Sequence, residues 1–64
     1  GKEVKAAQIM LTLLGYNVGI DSSFGSKTYN AVVSFQKKYG LSADGIIGPA
    51  TWDKLGRLTD PTLS

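Results

Sequence analysis

The sequence predicts an all-α fold: a compact three-helix bundle with two long structured loops and an internal pseudo-repeat. Three observations carry this prediction. Apolar residues recur at helical spacing in three segments, and stretches rich in Gly, Asn, Asp and Ser separate them. In addition, DSSFGSKTYNAV, from Asp21 to Val32, returns in similar form 23 residues later as DGIIGPATWDKL, from Asp44 to Leu55. A chain of 64 residues forms one small domain, because at this size only about 60% of the surface of the unfolded chain is buried. Cys and His are both absent. Their absence removes disulfides, thiolate nucleophiles, imidazole bases and the usual zinc ligands, so apolar packing must hold the fold.

The first helix runs from Lys2 to Leu14, with Val4, Ala7, Leu11 and Leu14 on one face and Gly15 as its stop. Ala6, Ile9 and Leu13 form a second stripe on the opposite side, where polar residues are usual. Two readings fit it: tolerated surface hydrophobes, or a docking face for a neighbouring domain or second copy. Tyr16 to Gly25 reads as a loop, and Ser26 as the N-cap of a second helix from Lys27 to Tyr39. That helix turns Thr28, Ala31, Val32, Phe35 and Tyr39 inward and ends at Gly40. A second loop, Leu41 to Gly48, leads to Pro49, whose missing N–H suits a first helical position. The third helix, Pro49 to Leu58, is expected to bury Leu55 and Leu58 with Trp52 at its rim. The composition TDPTLS suits a linker, so the domain is read as residues 2–58 and the tail as 59–64. Loops of about nine residues exceed the usual helix connection.

Aligned at an offset of 23, Tyr16 pairs with Tyr39, Val18 with Leu41, Asp21 with Asp44, and Phe24 with Ile47. Gly25 then pairs with Gly48, Thr28 with Thr51, Tyr29 with Trp52, and Val32 with Leu55. Each feature has a structural cause. The Asp bonds backbone N–H groups two residues on, the apolar Phe24 or Ile47 plugs the core, and the Gly lets the chain turn into its helix. Two such units packed around the first helix make a pseudo-symmetric pair.

The ordered segments QIMLTLLGY (Gln8 to Tyr16), DSSFGSKTYNAVVSFQKKYGL (Asp21 to Leu41) and DGIIGPATW (Asp44 to Trp52) resemble the peptidoglycan-binding domain family. The resemblance spans about Val4 to Leu55. That family consists of small three-helix modules appended to bacterial and phage cell-wall hydrolases. The resemblance implies a non-catalytic module, extracellular or associated with the cell wall. Its implied partners are peptidoglycan, through the glycan strand or the stem peptide, and an attached amidase, peptidase or muramidase domain. No metal or cofactor is implied. Two positions depart from the pattern. Ser22 stands where the family commonly has Gly, which would strain a turn requiring positive φ. Ala7 stands where Leu is common, leaving room for Met10.

Peptidoglycan offers sugar faces, N-acetyl groups, amides and carboxylates, so a binder needs aromatic surfaces and fixed polar groups. Tyr29, Val33 and Gln36 form a stripe beside the core face of the second helix, and Gln36 can both donate and accept. The expected site is a shallow groove between the second and third helices, lined by Tyr29, Gln36, Tyr39, Asp44, Gly45, Ile46 and Trp52. Tyr16 and Asp21 form its pseudo-equivalent second edge. On this reading Gln36→Ala weakens wall binding with little effect on the melting temperature. An enzyme using Asp21 and Asp44 as paired carboxylates is disfavoured, because such catalysis needs them in different environments and the repeat makes them twins. A docking module acting through Ala6, Ile9 and Leu13 is the alternative. Nucleic acid is not an expected partner, since the net charge of +2 is spread without a basic stripe. Membrane insertion is not expected either, since Ile9 to Leu14 falls far short of the roughly 20 residues that span a bilayer.

Overall fold

The computed structural model describes residues 2–21 and 23–60. It has three helices, α1 Lys2–Leu13, α2 Ser26–Lys38 and α3 Pro49–Thr59, and no strand among the described residues. The fold is all-α, as the periodicity predicts. Helix α1 packs against both α2 and α3. It contributes the fully buried Ala7 and Leu11, and Met10 and Leu14 pack partly buried against the same core. Val18 from the first loop, Ala31, Val32 and Phe35 from α2, and Leu55 from α3 complete that core.

Phe35 is the largest fully buried side chain, and the leading aromatic of each repeat unit converges on it. Tyr16 meets it edge-on at a centroid distance of 6.4 Å and 74°, and Tyr39 lies tilted against it at 4.9 Å and 49°. Such off-parallel pairs are favoured by the ring quadrupoles. The helix ends match too. The Tyr16 N–H donates to Leu11 C=O at 2.9 Å and the Leu41 N–H to Gln36 C=O at 2.8 Å, each bond closing a helix through a glycine at positive φ.

Several expectations are corrected. Ser26 is the first residue of α2 rather than its cap. The N-cap is Gly25, extended at φ −97° and ψ −168° and without a side-chain cap bond; its carbonyl accepts the Tyr29 N–H at 2.9 Å and so starts the helical ladder. Helix α3 continues through Thr59, one residue beyond the expected end, and the Thr59 hydroxyl donates to Leu55 C=O at 2.8 Å. Leu58 is 39% exposed, because three residues turn the helix about 300° and carry it some 60° off the Leu55 face. Phe24 is 42% exposed instead of plugging the core, whereas its counterpart Ile47 does pack there. The two loops anchor differently. Among the described residues Val18 alone is buried under the first, while the half-buried Leu41 and Ile47 share that task under the second. The expected strain at Ser22 and the tail residues 61–64 lie outside the described residues.

Candidate functional site

The site is built on two buried glutamines. Gln8 on α1 and Gln36 on α2 are 0% and 1% exposed, and each locks a loop onto the start of the following helix. The Gln8 amide Nε2 donates to Asp21 Oδ1 at 3.1 Å, Ser23 C=O at 3.0 Å and Thr28 Oγ1 at 3.0 Å, while its Oε1 accepts the Asp21 N–H at 3.1 Å. Gln36 repeats the arrangement. Its Nε2 donates to Asp44 Oδ1 at 3.2 Å, Ile46 C=O at 2.9 Å and Thr51 Oγ1 at 3.2 Å, and its Oε1 accepts the Gly45 N–H at 2.9 Å. Each Asp closes its own turn by accepting a backbone N–H two residues on, from Ser23 at 2.9 Å and from Ile46 at 2.9 Å. Buried polar groups must find partners, and among the described residues no buried side-chain nitrogen or oxygen lacks one.

At the Gln36 corner the surface opens into a cavity of about 160 Å³. Gln36, Leu41, Ser42, Asp44 and Ile46 line it, together with the first turn of α3 from Gly48 to Thr51. That turn has no side-chain cap, and the first N–H groups of a helix have no partner within it, so the amide of the exposed Ala50 is one that α3 itself does not use. Tyr29 and Ile46 are 46% and 67% exposed. Gly45 has φ +73°, and a Cβ there would collide with the Tyr29 ring. The ring therefore lies across the Gly45 backbone, which extends an exposed aromatic surface along the loop beside Ile46. Leu41, Ser42 and the α3 turn from Gly48 to Thr51 lie outside the expected lining, although the proline that opens the helix signals a helix start here.

The expected residues separate into groups. Gln36, Asp44 and Ile46 line this cavity, and Tyr29 and Gly45 meet beside it. Gln36 is committed to internal hydrogen bonds, which corrects the expectation that its loss spares stability. Tyr39 is occupied with Phe35, and the ammonium groups of Lys38 and Lys54 stand 5.7 and 5.4 Å from its ring centroid. Tyr16 packs on another side of Phe35. Asp21 belongs to the Gln8 corner. Trp52 borders two other depressions, on the faces that α3 shares with α1 and with solvent. The Asp21 carboxyl is held below its ordinary value, first by the Ser23 N–H and then by the Gln8 amide, with Lys27 adding a smaller favourable field. Among the described residues no three His, Cys, Asp or Glu side chains gather as a metal site, and no helix is long and apolar enough to cross a membrane.

Residues 1–55 match the peptidoglycan binding domain family. The chain is 48% identical over 52 residues to an N-acetylmuramoyl-L-alanine amidase, CwlM, of Mycobacterium tuberculosis, a match that covers 80% of this chain and 13% of that protein. It is 45% identical over 58 residues to a zinc D-Ala-D-Ala carboxypeptidase of Streptomyces albus G, covering 83% and 23% respectively. It is 39% identical over 61 residues to a spore cortex-lytic enzyme of Halalkalibacterium halodurans, covering 94% and 18%. The chain thus spans less than a quarter of the length of each of these relatives.

Proposed function

The chain belongs to the peptidoglycan binding domain family, and from that premise we propose that it is a non-catalytic module that anchors an attached cell-wall hydrolase to its substrate, outside the cell or in its wall. The observation that carries the proposal is the Gln36 corner. There a cavity of about 160 Å³ with a first-turn amide donor is bordered by the exposed Ile46 side chain, with the Tyr29 ring close by across Gly45. An amide donor and apolar ring surface together suit a polymer of N-acetylated sugars and short peptides. Tyr29, Asp44, Gly45 and Ile46 are the proposed contacts. Gln36 holds their loop from beneath, Tyr39, Tyr16 and Asp21 shape the fold behind them, and Trp52 acts elsewhere. The relatives' lengths support an attached catalytic domain, since each carries several times more chain than this module covers. A shallow site binds weakly, but a wall repeats its epitopes, so tethering raises the effective concentration of the enzyme at its substrate.

The lack of intrinsic catalysis is supported by the twin settings of Asp21 and Asp44. Each is bonded by a glutamine amide and a backbone N–H, whereas a catalytic pair needs unlike environments. Incubation with labelled wall is expected to release no soluble fragment, and release of fragments would refute this. A docking role through α1 has its own observation, because Ile9 is 40% and Leu13 70% exposed while Ala6 is half-buried. To test the groove, Ile46→Ser and Tyr29→Ala are expected to reduce retention on insoluble wall material at least severalfold, and retention equal to wild type would move the site elsewhere.

A further inference from the structure

Trp52 was expected to wall the cleft between α2 and α3, yet the fold gives it a different setting. Its indole borders a depression of about 160 Å³ formed with Glu3, Val4 and Ile47. It also borders an open one of about 350 Å³ formed with Asp53, Gly56, Arg57 and Asp60. The larger is at the lower end of small-ligand site volumes, which begin at about 300 Å³.

Gly56 supplies an independent observation. It stands inside α3, four residues after Trp52 and on the same side of the helix, where glycine is among the poorest helix formers. Neither conformation nor packing asks for glycine here. Its φ is not positive, and a Cβ built on it would meet no atom within 4 Å. What the missing side chain does provide is an open floor beside the indole.

The chemistry around that floor selects among ligands. Asp53, Asp60 and Arg57 line the larger depression and Glu3 the smaller, so the lining sets carboxylate acceptors beside a guanidinium donor. The Asp53 Oδ2 accepts from Arg57 Nε at 2.9 Å, a bond that leaves the two terminal amino groups of the guanidinium unused by the pair. An aromatic surface for ring C–H groups, carboxylates that accept hydroxyl protons and a donor for an amide carbonyl together suit a neutral sugar. We propose that the Trp52 and Gly56 surface of α3 is a second binding site, taking an N-acetylated pyranose of a glycan strand, separate from the Gln36 corner. The inference rests on the wall-binding reading for its ligand class and adds a distinct place for the sugar.

Trp52 is the single tryptophan of the chain, so the emission comes from this indole alone. Titration with N-acetylglucosamine oligomers of four to six rings should shift that emission saturably, and amide resonances of residues 52–57 should move with it. Gly56→Gln, which fills the floor, should weaken the response at least fivefold. Gly56→Ala, which narrows the floor by a single methyl, should weaken the response less than Gly56→Gln and raise the melting temperature, which separates groove filling from folding. Unchanged emission while the chain still sediments with wall material overturns the sugar site and leaves wall anchoring standing. A saturable shift without sedimentation keeps the sugar site and overturns anchoring. An equal response from Gly56→Gln and wild type overturns the assignment to this surface.

Discussion

At the scale of single residues, two buried glutamines govern the molecule. Each saturates an amide with a carboxylate, a hydroxyl and backbone groups, so removing one empties a core position, strips a buried threonine hydroxyl of its partner at about 1–3 kcal/mol, and releases the partly buried loop groups. Gln8→Ala and Gln36→Ala are each expected to lower stability by about 3 kcal/mol, as read in urea unfolding, a large share of what so small a domain has. A loss below about 1 kcal/mol would contradict the hub role. Asp21 adds a pH dependence. Its carboxyl titrates below the ordinary value because the Ser23 N–H and the Gln8 amide favour its charged form. The stability it contributes is therefore complete above the unfolded value of about 4 and is lost as pH falls through the lower folded value. Thermal unfolding between pH 7 and pH 2 should show this acid loss, and Asp21→Asn should flatten it while retaining the Oδ1 acceptor. The paired aspartates, threonines and glycines were legible in the sequence because they recur at a constant offset of 23. The glutamines were not. That offset sets Gln36 against Leu13 and Gln8 against Ala31, since the first corner draws its amide from a different register of the preceding helix. Gln36, read as a ligand group because its side chain is polar, is buried because the second loop folds over it.

At the scale of elements, helix identity followed from apolar spacing and from Gly and Pro punctuation, and only the ends moved. Ser26 begins α2 instead of capping it, and Thr59 extends α3 through its bond to Leu55 C=O, shifts of one position that composition cannot resolve. Leu58 and Phe24 illustrate a different limit, because apolarity states a preference for burial and not whether a neighbour arrives to cover it. Gly56→Ala in α3 is expected to stabilise the fold by about 1 kcal/mol, since the added methyl meets nothing within 4 Å; calorimetry showing destabilisation would reveal a packing role. On α1, Ile9→Lys and Leu13→Lys should leave folding within about 0.5 kcal/mol of wild type, as exposed positions do. Wall retention should survive both if binding belongs to the α2–α3 side. Loss of retention would favour the docking reading.

At the scale of the whole molecule, three helices and two glutamine-locked loops enclose one core around Phe35, within about 29 × 22 × 20 Å. The fold was legible because short-range rules agree along nearly the entire chain, and the repeat announced that its two loops are built alike. The surfaces were less legible, because the division of aromatics between core and rim depends on how the helices cross. Tyr39 and Tyr16 went to Phe35, and Trp52, packed partly buried on the same core, borders two depressions away from the Gln36 corner. The most direct measurement mixes the purified chain with insoluble peptidoglycan sacculi from several wall types and follows both sedimentation and release of soluble fragments. The account predicts that the wild-type chain sediments, that Ile46→Ser and Tyr29→Ala remain largely in solution while still folded, and that no fragments appear. A folded wild-type chain that stays in the supernatant with every wall type would contradict it.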